Sequence, residues 1–295
     1  MSVKPYRTQP LYFAQEKLFS QYGEDGVCRY ILSQFDHQKF VIDIGADDGV
    51  RLSNVRYFVE SGYGALLVEG SEIKAKQAAI NSREYKSCVV VNEFIQPDKG
   101  GLEKLVSAHG YEGIEPALLS IDIDSFDYQV LAGLEHLRPE ILVIEFNPTI
   151  PNHLVVVETQ ETSNTGNSAL ALVELAKSMG YSLVHATFGN LIFLNSSRLE
   201  HGFTELSLSD CLNDMHTVKG VWTGFDGKVH FAGSSILDFP WLAIYPDLAK
   251  KAPIFSYYLT GFPSHYGKVK RLIWFATKAI YTKKKVKKLL KRLQK

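Results

Sequence analysis

The chain has 295 residues, 45% hydrophobic and 22% charged, which suits one large globular domain or one domain with extensions. No run reaches the ~20 apolar residues that span a bilayer, and Met1 to Gln15 holds no apolar stretch of secretory-signal length. The net charge of zero hides an asymmetry: residues 268–295 carry twelve Lys or Arg and no acid, which leaves twenty basic against thirty-two acidic side chains elsewhere, a formal −12.

In chain order, residues 11–35 carry apolar positions at helical spacing around FSQYGEDGV. KFVIDIGADDG, residues 39–49, is a short apolar run stopped by glycine, the pattern of a buried strand entering a tight turn. A helix is predicted from Ser53, as N-cap, to Ser61. Strands follow at 65–70 and 87–95, with a helix at 72–82 between them. Further helices are predicted at 101–109, 126–137 and 168–179, and further strands at 117–124 and 140–148. YSLVHAT and NLIFLNS, joined through Gly189 and Asn190, read as a hairpin. Strands alternating with helices predict a mostly parallel sheet covered on both faces. Five such units and a terminal hairpin give the strand count of a Rossmann-like α/β methyltransferase fold, a seven-stranded sheet. Beyond Ser197 the pattern weakens, with a second hairpin at 221–233 around Asp226-Gly227. The predicted division is a domain at 1–200 with a helical lead-in at 1–38, an irregular extension at 201–267 and a basic tail at 268–295.

Ligands of an open parallel sheet bind outside the carboxyl ends of its strands. Asp43, Gly45, Ala46 and Gly49 close the first strand with a G-x-x-x-G spacing, where glycine lets the backbone approach a ligand. The G-x-G-x-x-G of pyrophosphate binders is absent, which argues against a dehydrogenase. Glu69, followed by Gly70, ends the second strand, where a carboxylate can bind both ribose hydroxyls. Asn92 and Glu93 end the third and are candidates for the adenine edge.

The segments FSQYGEDG, VIDIGADDG, LSN, GYGALLVEG, LLSIDIDSFDYQVLAGL and ILVIEFNPTIP, in that order over about residues 19–195, resemble the FkbM family of O-methyltransferases. The resemblance implies S-adenosylmethionine as methyl donor and a hydroxyl acceptor, often on a sugar or polyketide. It places Gln21, Tyr22, Glu24 and Asp25 on the cofactor side and Asn54 near the methionine end. The chain departs from the family where Asp122-Ile-Asp124-Ser125 stands in place of D-x-E-G.

Asp122 and Asp124 are two apart at the end of the fourth predicted strand, which puts both on one face. Glu145 and Asn147 repeat the arrangement on the fifth. Converging oxygen donors suit a hard cation such as Mg²⁺ or Mn²⁺, as at the similar strand-end acids of macrocin-type sugar O-methyltransferases. Such an ion would lower the pKa of the attacking hydroxyl. The plainer alternative is that these acids bind the cofactor's ammonium or a backbone turn. His153, six residues past the fifth strand's Asn147, is the candidate base.

The acceptor expected is a sugar, nucleotide-sugar or glycan, free or lipid-linked. A nucleic-acid substrate is disfavoured by the acidic body and by Asn147-Pro148 running into Thr149-Ile150, with no aromatic residue to stack a base. A non-catalytic assembly protein that kept the fold is the remaining alternative. The three cysteines, Cys28, Cys88 and Cys211, are far apart and fit reduced thiols of a cytoplasmic protein. In the tail, Leu272, Ile273, Phe275, Ala276, Ala279, Ile280, Val286, Leu289, Leu290 and Leu293 recur at threes and fours among lysines. This predicts a basic amphipathic helix at an anionic membrane surface, peripheral on the inner face of the cytoplasmic membrane.

Overall fold

The computed structural model describes residues 9–95, 99–124, 126–159, 165–212, 219–223, 225, 229–233, 267–269, 271–273, 275 and 276. It divides into two compact units, Met1–Val218 and Lys219–Lys295.

The first unit is built on strands β1 (Phe40–Ile44), β2 (Gly64–Glu69), β3 (Cys88–Asn92), β4 (Leu118–Ile121), β5 (Ile141–Glu145), β6 (Tyr181–Ala186) and β7 (Asn190–Asn195). They form one seven-stranded sheet in the order β3-β2-β1-β4-β5-β7-β6. The pairs β1·β2, β1·β4, β2·β3 and β4·β5 are parallel, and β7 runs antiparallel to β5 and β6. This is the predicted Rossmann-like α/β sheet with its terminal hairpin.

Alternate strand residues feed two cores, one on each face. Ile42, Ile44, Leu66, Leu119, Ile121, Leu142 and Ile144 pack with Leu105 of α4 (Gly101–Ala108), Leu131 of α5 (Asp127–Ala132) and Leu172 of α6 (Ala169–Ser178). Val41, Ala65, Leu67, Leu118, Ile141 and Val143 pack with Val27 and Ile31 of α1 (Glu24–Leu32) and Phe58 of α2 (Arg56–Glu60). Burial on both faces is why the strands read as continuous apolar runs instead of alternating ones. The helix α3 (Glu72–Ser82) spans the residues predicted for it.

The strands end earlier than predicted, β4 at Ile121 and β5 at Glu145, so the acids beyond Ile121 sit on turns. The helix predicted from Ser53 starts at Arg56. Ser53 caps it from outside, its Oγ accepting from the amides of Val55 and Arg56 at 3.2 and 3.1 Å. The predicted N-terminal helix is split: a 3-10 turn at Pro10–Ala14, then a folded loop, then α1.

In the second unit, β8 (Lys219–Thr223) and β9 (Val229–Gly233) form the predicted antiparallel hairpin, while its turn residues Asp226 and Gly227 lie outside the described residues. Residues 268, 269, 271–273, 275 and 276 are helical, with Val269, Leu272 and Phe275 exposed; the rest of the predicted tail helix lies outside the described residues. Among the described residues no helix is long and apolar enough to cross a membrane.

Candidate active site

The carboxyl ends of β1, β2 and β4 carry most of the candidate residues. Asp43, the penultimate residue of β1, is buried, and its Oδ2 accepts from the Ser53 hydroxyl at 3.1 Å. Burial pushes this carboxyl up to about 6, against bonds from Ser120 and Ser53 that favour its ionised form. Gly45 follows at φ 89°. Its missing Cβ is needed by β4: a methyl there would stand 1.8 Å from the Asp122 carbonyl oxygen. The glycine expected to approach a ligand is required first of all by the neighbouring strand end. Ala46 is buried beside it, and Gly49 closes the turn by donating its amide to the Ala46 carbonyl at 2.8 Å.

Glu69 ends β2 and cinches that turn. Its Oε2 accepts from the Asp47 amide at 2.9 Å and its Oε1 from the Ser71 amide at 2.7 Å. A carboxylate has about four lone-pair sites, so two amide bonds leave accepting capacity for a ligand. Gly70 lies under the Phe94 ring, which a Cβ would meet at 2.5 Å, and Phe94 is 73% exposed. The sequence reading passed over this aromatic because it follows the polar Asn92-Glu93 pair. Asn92 is committed locally, its Nδ2 donating to the carbonyls of Glu69 at 2.8 Å and Gly70 at 3.1 Å. Glu93 is exposed, and its amide donates to the Glu69 carbonyl at 3.2 Å.

Asn54 is 4% exposed. Its Nδ2 donates to Ser120 Oγ of β4 at 3.1 Å, and its Oδ1 has no partner. A buried acceptor without a donor costs roughly 1–3 kcal/mol. Ser120, which orders this corner with Ser53, was not picked out from the sequence, where Ser53 was read only as a helix cap.

The lead-in supplies four expected cofactor residues, and the structure separates their roles. Gln21 is exposed and donates from Nε2 to the Tyr22 hydroxyl at 3.0 Å. Tyr22 meets Phe188 edge-on with ring centroids 5.5 Å apart. The Asp25 carboxylate is buried and accepts from the amides of Leu18, Phe19, Ser20 and Gly26 and from the Ser20 hydroxyl. Five donors on two oxygens fold the loop and leave little for a ligand. Glu24 is also fully buried and accepts from the Tyr22 amide, Thr187 Oγ1 and Asn190 Nδ2. It fastens the lead-in to the β6–β7 turn.

Asp122, Asp124 and Glu145 form a triad, with one carboxylate oxygen from each lying within 4.8 Å of the others. Strand alternation does not bring the two aspartates together. Asp124 adopts φ 59°, and Asp127 Oδ1 accepts the Ile123 amide at 2.9 Å, so a turn brings them together, with Asp122 half-buried and Asp124 exposed. Burial and the charge of Asp124 push Asp122 up to about 7. Burial, Asp122 and Asp124 hold Glu145 well above its ordinary range. Like charges this close disfavour full ionisation unless a proton or a cation is shared among them.

Asn147 is engaged by its own loop: its Oδ1 accepts from the amide and hydroxyl of Thr149 at 2.9 and 2.6 Å, and its Nδ2 donates to the Thr165 carbonyl at 2.7 Å. His153 is exposed and lines a depression of about 1040 Å³ with Leu170, Tyr181, Glu205 and Asp210, whose walls include none of the triad. The proline-bounded loop after β5 carries it there.

No protein-family model matches the sequence, and no curated protein matches it. Solved structures similar to it include a TehB-like SAM-dependent methyltransferase from Corynebacterium glutamicum, at 13% identity over 63% of this chain and 92% of that one, with a TM-score of 0.37. Another is the magnesium protoporphyrin IX methyltransferase of Synechocystis PCC 6803 with bound SAH, at 12% identity over 59% and 81%, TM-score 0.37. A third is the CurJ carbon methyltransferase, at 10% identity over 61% and 57%, TM-score 0.42.

Proposed function

We propose that the protein is an S-adenosylmethionine-dependent O-methyltransferase acting on a hydroxyl of a sugar or glycan. The observation that carries this reading is the set of acceptors left at the carboxyl ends of β1, β2 and β4. Glu69 keeps free lone pairs, Asn54 offers a buried carbonyl with no donor, and Asp43 stands between them in the fold. A ligand that brings donors at both ends, two ribose hydroxyls and an ammonium, suits such a rim. The G-x-x-x-G turn provides close backbone without a phosphate cradle.

The triad fits a divalent cation by donor chemistry: it offers three hard carboxylate oxygens within reach of one another. When bound, S-adenosylmethionine supplies the electrophilic methyl group and Mg²⁺ or Mn²⁺ at Asp122, Asp124 and Glu145 supplies Lewis acidity toward the acceptor hydroxyl. The chain's own residues do the rest. Glu69 would orient the ribose end, Asn54 the methionine end, and Asp122, Asp124 and Glu145 the acceptor end, from which the hydroxyl proton leaves to solvent as the methyl group is transferred. Holding the reacting atoms in line accounts for much of the acceleration available to such a displacement.

The test is transfer from methyl-labelled S-adenosylmethionine to free sugars, nucleotide-sugars, a glycolipid extract and RNA. Label is expected in a sugar-bearing fraction, lost with chelator and restored by Mn²⁺. Label in RNA alone, or transfer at full rate in excess chelator, contradicts this reading.

The tail gives the protein a membrane partner under the same reading. Residues 268–295 hold twelve basic side chains and no acid, and Val269, Leu272 and Phe275 are exposed. A lysine near an anionic surface contributes up to about 1 kcal/mol. Full-length protein is expected to float with anionic vesicles at low salt and to be released at high salt. A chain ending at Gly267 should stay in solution with its cofactor affinity intact; equal flotation of both forms removes the membrane partner.

A further inference from the structure

Asn190 opens β7 directly opposite Glu145, the last residue of β5, in antiparallel register. Directly opposed residues of an antiparallel pair project from the same face, with Cβ atoms roughly 4.5–5.5 Å apart. Asn190 therefore stands beside the triad on the side of Glu145.

Its side chain is 4% exposed. Nδ2 donates to Glu24 Oε1 at 3.0 Å, and that carboxylate is held in turn by the Thr187 hydroxyl at 2.5 Å and the Tyr22 amide at 2.8 Å. The opposite amide orientation would set two oxygens against each other, so Glu24 fixes which end of the amide faces it. Asn190 Oδ1 is left buried with no hydrogen-bond partner. Neither of its neighbours, Glu24 across the bond and Glu145 across the strand pair, donates to it.

An uncharged oxygen without a donor, set among carboxylates, is the ligand chemistry of a hard divalent cation. We infer that Asn190 Oδ1 is a fourth oxygen ligand for the cation proposed at Asp122, Asp124 and Glu145, and that Glu24 is the positioning residue that presents it. The inference rests on the cation part of the function proposed above. It gives Asn190 the role the sequence suggested for Asn147, whose amide is engaged by Thr149 and Thr165.

The experiment is titration of the full-length protein with Mn²⁺ alone, by calorimetry and electron paramagnetic resonance, beside a titration with S-adenosylhomocysteine. Asn190→Ala is expected to weaken Mn²⁺ binding tenfold or more and leave the S-adenosylhomocysteine affinity within twofold. Asn190→Gln, which keeps an amide oxygen together with an N–H donor for Glu24, should retain more of the Mn²⁺ affinity than Asn190→Ala. Glu24→Gln should change the resonance of bound Mn²⁺, a readout that loss of stability alone does not move. If Asn190→Ala fails to fold, Asn190→Gln and Glu24→Gln carry the test. Wild-type Mn²⁺ affinity in Asn190→Ala, with binding lost in Asp122→Asn, overturns the role of Asn190 and leaves the cation reading standing. No Mn²⁺ binding by the wild type overturns both, while the S-adenosylhomocysteine arm judges the methyltransferase reading separately.

Discussion

Gly45→Ala is expected to cost about 3 kcal/mol or more of stability. Two terms add. The residue sits at φ 89°, in the left-handed region, where a side chain costs about 1–2 kcal/mol. The new Cβ would also lie 1.8 Å from the Asp122 carbonyl oxygen, which is backbone and cannot rotate aside, so β4 must shift. Gly62→Ala is the control, with φ 85° and nothing within 4 Å of the added methyl. It carries only the conformational term. Thermal melts of both variants separate the two terms, and at about 2–4 °C per kcal/mol the gap should be several degrees. Equal midpoints would mean that β4 yields freely, and that the turn is held by something other than strand packing.

Glu69→Gln is expected to weaken S-adenosylhomocysteine binding by about 1.5–3 kcal/mol, the worth of hydrogen bonds to a charged group, or roughly 10–100-fold. The amide keeps the size of the carboxylate but halves its accepting capacity. One of the amides of Asp47 and Ser71 then loses its acceptor, so the turn and the ligand compete for what remains. The loss should appear in affinity, with a smaller fall in melting temperature. An unchanged affinity would confine Glu69 to holding the turn.

The sheet was legible because its strands are buried on both faces. Runs such as Phe40–Ile44 and Ile141–Glu145 are apolar on both sides except near their carboxyl ends, and their parallel pairing followed from the alternation with helices. Their ends were less legible. Hydropathy carries on through Ile123 and Phe146, although pairing stops at Ile121 and Glu145. Strand-end acids could be picked out for the same reason: Asp43, Glu69, Asp122, Asp124 and Glu145 each interrupt or close an apolar run. What escaped depends on contacts distant in sequence. Asp25 looks like any loop acid until the amides of Leu18 to Ser20 are seen folded around it. Asn190 looks like a turn residue until the antiparallel register sets it opposite Glu145. Asn147 has the right spacing, but its short side chain bonds its own loop, as Asn does in turns. His153 was chosen by proximity in sequence to β5, and the loop carries it to another depression.

The central claim is that the rim at β1, β2 and β4 binds S-adenosylmethionine, and calorimetric titration of the purified chain with S-adenosylhomocysteine tests it most directly. The account predicts one site of micromolar affinity, roughly −8 kcal/mol, weakened by Asp43→Ala and by Glu69→Gln and indifferent to NAD. No heat with S-adenosylhomocysteine or S-adenosylmethionine, or tight binding of NAD in their place, would contradict it.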